Sequence, residues 1–373
     1  MKMKRSSRIY PTDSYDVEVW TKGILRVSGK RRVDMTVRMV KDGVEDREVE
    51  IYKTLVEDIK AYLAKKFFTK SKFQPIPECI KIGYDAVEEN GGKIQDFQSR
   101  IFMIENKGHS GFKRDLMVNY EGLDYEHSVL VIAALGKFHA TSYCFIEDSK
   151  GKVTILEKYP VLQERLPFPN VSKETIQKLS KLFKTYPEYG KYSHLFLGPR
   201  NEKIKNLNLE CFGVLSHGHF CRENLLFKYK SNLESTFSCC DVIFKDLSRC
   251  HYGSCVLDLL QFIFTSIDLE VRHNFMADFV CSVYYDSFAK TVSSINSNAT
   301  IFSKENFIKE FDSKIMYGFL FSAEIHTFLH QEAKDNSIDE VSAAQIDEKY
   351  EKYILALMRD VLQFMESAQA TIT

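Results

Sequence analysis

Two polar loops between residues 217 and 248 concentrate the side chains able to do chemistry. The first, His217-Gly218-His219-Phe220-Cys221-Arg222-Glu223-Asn224, runs into the apolar Leu225-Leu226-Phe227. The second, Lys245-Asp246-Leu247-Ser248, follows the apolar Val242-Ile243-Phe244, with Tyr252-Gly253-Ser254 and Asp258-Leu259-Leu260 close behind. An imidazole titrates near neutral pH and can take up a proton. Phosphoryl transfer needs groups that position nucleotide phosphates, hold magnesium and orient the accepting hydroxyl, and such sites put the last two tasks on adjacent loops. These loops are the candidates for those tasks. The alternation of His217, His219 and Cys221 also invites a zinc reading, but it would not assemble four ligands without others from afar, and zinc is not expected.

The elements that must position these loops are legible from periodicity. Val33 to Val40 alternates, with Val33, Met35, Val37 and Met39 on one face and Thr36 and Arg38 on the other, which predicts a half-buried strand. Glu48 to Ile59, carrying Ile51, Leu55 and Ile59 at steps of four, predicts a helix. Strands are expected at Ile80 to Tyr84 and Arg100 to Ile104. After Gly108 the pattern turns helical: Asp124 is a candidate N-cap for a long helix bearing Val129, Ile132, Leu135 and Phe138, and Ser172 for another. His139 in the first of these reads as a hydrogen-bonded core histidine. The runs VLSH, NLLF and CDVIF between Val214 and Asp246 predict a short sheet among helices, with Cys239-Cys240 in the core. From Leu257 the chain is helical again, ending in a stripe of Ile346, Tyr350, Tyr353, Leu357, Val361 and Phe364. The expected organisation is a divergent N-terminal segment 1–32, for which the start of the sheet-rich lobe is one reading, that lobe at 33–107, and a helical region 108–373 carrying its loops at 214–254.

Composition narrows the partners. Lysine plus arginine and aspartate plus glutamate number 51 each, so no global field draws the chain to nucleic acid or to an anionic membrane. The 373 residues, 44% of them apolar, can bury a sizeable core. Nine cysteines without a CxxC pair predict reduced thiols rather than disulfides. The start, MKMKRSSRIYP, has charge but no apolar segment behind it, and no later stretch approaches the roughly 18 apolar residues that span a bilayer. A soluble, cytoplasmic protein with no membrane partner is expected. The glycosylation spellings at Asn170 and Asn298 therefore read as chance.

The run from His217 to Asp258 resembles the ecdysteroid kinase-like family, a branch of the choline and aminoglycoside kinase superfamily that phosphorylates hydroxyls on small molecules. The likeness extends to Glu48-Val49-Glu50-Ile51-Tyr52, Gly111-Phe112-Lys113, Gly122-Leu123-Asp124, the stretch from Leu135 to Ser142 and Phe262-Ile263-Phe264-Thr265-Ser266, in order, over roughly residues 33 to 330. It implies an α+β, two-lobed protein-kinase-like fold, with a small sheet-rich N-lobe and a larger, mainly helical C-lobe. It also implies ATP and magnesium as cofactors, and a nucleotide and a hydroxylated small molecule such as an ecdysteroid as ligands. In the family the loop reads His-Gly-Asp with Asn five residues later; the Asp orients or deprotonates the acceptor and the Asn helps hold magnesium. Here the Asp position is His219, while Asn224 is kept, and Cys221 and Glu223 replace the usual Trp and Asn. Asp246 matches the metal-binding aspartate of the family's Asp-Phe-Gln, followed here by Leu247 and Ser248; the plain alternative is an aspartate capping a turn. His217 and Asp258 are implied to brace the loop through backbone hydrogen bonds.

The nucleotide side departs as well. Arg38 stands where the family has its phosphate-pairing lysine, with Glu48 as the helix partner, and an arginine fork pairs differently from an ammonium. A solvated arginine on an exposed strand face is the equal alternative. A turn covering the phosphates has only Thr21-Lys22-Gly23 and Ser28-Gly29-Lys30-Arg31-Arg32 as weak counterparts. These changes predict a degenerate kinase, a pseudokinase with weak or absent transfer. The alternatives are an active ATP-dependent enzyme using His219 as base, and a non-enzymatic protein that holds a ligand or a partner.

Overall fold

The computed structural model describes residues 35–40, 44–67, 79–84, 100–105, 112–113, 122–163, 171–192, 213–231, 237–335 and 340–372. The glycines and basic run upstream of Val33 lie outside the described residues. The chain divides into two compact units, one of residues 1–116 and 224–250 and the other of 117–223 and 251–373.

The first unit opens with strand β1 (Met35–Val40) and a continuous helical run: α1 (Val44–Glu50), a π-helical turn (Ile51–Val56) and α2 (Glu57–Phe67). Strands β2 (Cys79–Tyr84), β3 (Arg100–Glu105) and β4 (Phe112–Lys113) follow. The second unit then supplies α3 (Tyr125–Asp148), α4 (Lys152–Lys158), α5 (Lys173–Thr185), α6 (Pro187–Gly190) and β5 (Gly213–Ser216). The chain returns to the first unit for β6 (Leu225–Ser231) and β7 (Phe237–Phe244). It ends in the second with β8 (His251–Ser254), α7 (Cys255–Ser266), α8 (Leu269–Asp278), α9 (Tyr285–Ile295), α10 (Lys304–Asp335) and α11 (Glu340–Ile372). A π-helical turn, Phe279–Tyr284, joins α8 to α9.

In the first unit β3 is the middle strand of an antiparallel sheet of order β1-β3-β2, with Thr36 opposite Ile104 and Arg38 opposite Phe102. The helix expected over Glu48 to Ile59 is longer at both ends, and its buried side, Val49, Ile51, Tyr52, Leu55, Val56, Ile59 and Leu63, keeps the three- and four-residue steps of an amphipathic helix. A second sheet has the order β4-β6-β7. The covered residues of β7 are Val242, Ile243 and Phe244, whereas Cys239 and Cys240 are half-exposed. This corrects the core placement of the two cysteines: they sit toward the far end of the strand, beyond its buried apolar run.

The second unit is built around α3. Asp124 caps it, its carboxylate accepting from the His127 amide at 2.9 Å. Val131, Ile132, Leu135 and Phe138 are fully buried, and Gly136 allows α9 to approach closely: a Cβ there would stand 2.9 Å from the Tyr284 carbonyl. By length and composition α3 could cross a membrane, which corrects the expectation that no stretch comes near that length; 67% of its apolar window is buried inside the fold. Ser172 caps α5 by accepting from the Thr175 amide at 3.1 Å. On α11, Leu357, Val361 and Phe364 of the expected stripe are buried together with Ile354 and Met358. The strand-like runs form two sheets rather than one, because β5 pairs with β8 within the second unit while β6 and β7 belong to the first.

Candidate catalytic and metal loops

Within the second unit, α7 carries a polar row that holds the loop after β5. Asp258 Oδ2 accepts from the His217 amide at 2.5 Å, and Oδ1 from the Gly218 amide at 2.9 Å. Gln261 Oε1 accepts from the Phe220 amide at 2.8 Å, and Ser266 Oγ from the Arg222 amide at 2.9 Å. Four loop donors that no sheet satisfies are thus met by three side chains of one helix. Gly218 has φ +79°, the left-handed region where glycine carries no Cβ penalty, so the turn into His219 is made without strain. Phe220, fully buried, packs against the rings of His217 at 5.5 Å and Phe262 at 5.6 Å and plugs the loop into the core. His219 itself is half-buried, and its amide faces His217 Nδ1 at 3.4 Å.

Asp258 sits at the head of a buried polar chain. Its Oδ2 lies 3.1 Å from His139 Nε2, and His139 Nδ1 lies 2.6 Å from the Tyr284 hydroxyl. Burial alone would raise the Asp258 pKa; the His139 hydrogen bond and charge, then His217 and the Gly218 amide, outweigh it and bring the carboxyl down to about 2. Asp258 is therefore a carboxylate at any physiological pH. Tyr284 and Cys255 go the other way, their pKa values pushed well up by burial, and both stay neutral.

The second loop lies in the first unit. Lys245 N donates to the Asn224 carbonyl at 2.8 Å, so Asn224 and Asp246 sit on adjoining segments. Asp246 adopts a left-handed backbone, φ +66°, and its Oδ1 accepts from the Ser248 hydroxyl at 2.5 Å and the Ser248 amide at 3.3 Å. The serine in place of the family's third loop residue thus fixes the carboxylate's orientation. Asn224 and Asp246 offer oxygen donors, one of them a carboxylate, and this set fits magnesium, which takes one or two protein oxygens and completes its shell with phosphate and water.

Helix α1 straps this loop down. Arg47 Nε donates to the Ser248 carbonyl at 3.1 Å and Nη2 to the Cys250 carbonyl at 2.8 Å, while Glu48 Oε1 accepts from the Leu247 amide at 3.2 Å. Both side chains are buried. Glu48 thus holds the backbone next to Asp246; the side chain of Arg38 lies outside the described residues. Hydrogen bonds from a charged donor are each worth about 1.5–3 kcal/mol, so Arg47→Met is expected to loosen residues 247–250 locally. Hydrogen exchange at the Leu247 and Cys250 amides should rise by about tenfold or more while that of α3 stays unchanged; parental protection at those amides would discard the strap.

Arg47, Gln261, Ser266, His139 and Tyr284 support these loops, and the sequence alone assigns none of the five to them. Their signal is real but nonlocal: Asp258, Gln261 and Ser266 fall on one side of α7, and only the fold brings the loop over that side. Among the described residues, Cys144, Cys221, Cys239, Cys240, Cys250, Cys255 and Cys281 are free thiols.

No curated protein matches the sequence. Solved structures with similar folds include an ethanolamine kinase of Plasmodium vivax, 11% identical, covering 90% of this chain and 78% of that one at a TM-score of 0.35. A choline kinase of Cryptosporidium parvum is 13% identical, covering 90% and 83% at 0.36. A choline/ethanolamine kinase family protein of Mesorhizobium loti is 10% identical, covering 90% and 88% at 0.34. The model of the ecdysteroid kinase-like family matches residues 24–297, which takes in both loops, the α1 strap and the whole of α3 and α7. With its sheet-bearing unit, its helical unit and the α+β, kinase-like class that these imply, the chain belongs to the ecdysteroid kinase-like family.

Proposed function

We propose that this chain is a degenerate small-molecule kinase, a pseudokinase that keeps the family's loop scaffold and nucleotide affinity while transferring phosphate weakly or not at all. One observation carries the reading. The loop after β5 is pinned at four amides, yet the residue it presents at the family's base position is His219, not a carboxylate. A carboxylate there is an anion before it accepts the acceptor's hydroxyl proton and neutral afterwards, so the transfer leaves no positive charge on the base. A neutral imidazole can accept the same proton but becomes a cation when it does. The burial of free thiols such as Cys144, Cys250 and Cys255 supports a reducing, cytoplasmic setting.

Asn224 and Asp246 are the residues that would hold magnesium, and the ion would neutralise phosphate charge when bound. Arg38 and Glu48 keep the nucleotide-side roles that the family resemblance gives them. The hydroxylated acceptor would be a small molecule of the kind the family takes, an ecdysteroid among them. Magnesium is expected to strengthen stabilisation of the protein by ATP in thermal melts, and Asp246→Ala to abolish that dependence while leaving the fold intact. An ATP response in the parent that ignores magnesium would remove the metal site. The second reading, an active enzyme with His219 as base, is favoured by the adjoining placement of Asn224 and Asp246. Binding of ATP with transfer to a hydroxylated acceptor would select it, and binding without transfer the pseudokinase.

A further inference from the structure

Arg272, in the first turn of α8, is fully buried, and its charge is only partly met. Nε donates to Asp360 Oδ2 at 2.7 Å, and the guanidinium lies over the rings of Phe264 and Tyr353 at 5.6 and 6.0 Å. Both Nη atoms are buried without a hydrogen-bond partner. Asp360, buried on α11, is shared: His273 Nδ1 lies 2.9 Å and Arg359 Nε 3.1 Å from its Oδ1. Arg359 Nη2 is also buried without a partner.

Two permanent cations therefore share one carboxylate. The carbonyl of Phe264 already accepts from Ser322 Oγ at 2.6 Å and Tyr353 OH at 2.9 Å. His326, stacked on Tyr353, brings no compensating charge: loss of solvent, then Arg272 and Lys349, push its pKa down to about 3, so it is neutral. In an ion pair whose only task is to hold two helices together, the terminal nitrogens are spent on carboxylates or carbonyls, since charged donors left unmet away from water are costly. Here three such nitrogens remain. The Nη edge of a guanidinium is the fork that takes two oxygens of a carboxylate or phosphate.

We propose that Arg272, Arg359 and Asp360 of the second unit form a binding site for an oxyanion, a phosphate or carboxylate group received by the Nη edge of Arg272 and by Arg359 Nη2. Asp360 holds the two guanidiniums in position and removes part of their mutual repulsion. The side chains of Arg359 and His273, 37% and 27% exposed, give the cluster its edge to solvent. The site is independent of the kinase-like reading and stands whether or not the protein transfers phosphate.

The test is a melting titration of the full chain with sodium phosphate and, separately, sodium acetate, each against sodium chloride at matched ionic strength. Saturable stabilisation by phosphate, acetate or both is expected, the stronger of the two telling which group the site takes. Arg272→Met should abolish the response. Arg359→Gln, at the solvent edge and less demanding of the fold, should weaken it by about tenfold, the loss of one charged hydrogen bond. Asp360→Asn, which leaves both cations, should strengthen it. Responses no larger than that to chloride would mean that water alone fills the site and would overturn the proposal. A phosphate response unchanged in Arg359→Gln would place the ion elsewhere and overturn it equally.

Discussion

Replacing His219 with aspartate is expected to raise phosphoryl transfer to a hydroxylated acceptor by about a hundredfold, the usual worth of a correctly placed general base. The loop that presents residue 219 is already held by Asp258, Gln261 and Ser266, so the new carboxylate would enter a fixed frame five residues before Asn224. The parent should sit close to His219→Ala, because an imidazole that takes the proton ends as a cation, whereas a carboxylate ends neutral. Arg38 limits the gain if its planar fork handles phosphate poorly, and His219→Asp with Arg38→Lys is the stricter comparison. Rates are read for parent, Asp and Ala variants with one shared acceptor across pH. If His219 is the working base, the parent turns over well above His219→Ala and its rate falls as the imidazole is protonated. That outcome would replace the pseudokinase by an active enzyme.

How much of this was legible beforehand depends on how local each signal is. The caps at Asp124 and Ser172 are readable because a cap is a contact between a side chain and an amide three residues away. The strand at Met35–Val40 and the buried steps of α11 are equally local, the residue period being set by the element itself. The two sheets between Val214 and Ser254 read as one in the sequence, because strand order depends on where the chain crosses between units. No period within VLSH or CDVIF records that crossing.

The site divides in the same way. That His217 and Asp258 belong near one another was available only through resemblance to a family, since 41 residues separate them. Arg47 illustrates what resemblance leaves out: it is the neighbour of the family-marked Glu48, yet its bonds go to carbonyls about 200 residues away, and carbonyls leave no mark in a sequence. The orphaned nitrogens of Arg272 are hidden for a related reason. Nothing in the run LEVRHNF marks its arginine as buried; only packing brings Phe264 and Tyr353 over it.

Asp258→Asn is expected to cost about 3 kcal/mol or more, the range for breaking a buried charged network by removing one partner. The amide keeps one acceptor, but its NH2 must then face either the His217 amide or the Gly218 amide, donor against donor, with His139 losing its carboxylate. The pH dependence separates this from simple loss of packing. The folded pKa of Asp258 is about 2, below its ordinary value of 3.8, so its contribution is fully present above pH 4 and drains away as pH falls toward 2. That lowering corresponds to about 2–3 kcal/mol. Denaturant unfolding of the parent between pH 5 and 2 should therefore show a loss of that order, and the Asn variant a flatter profile over the same window. The gap between the two curves should narrow by about 2 kcal/mol as pH falls to 2, where the parent carboxyl is itself half protonated. A variant that keeps the parental slope would assign the acid sensitivity to other carboxylates and leave Asp258 as a packing residue.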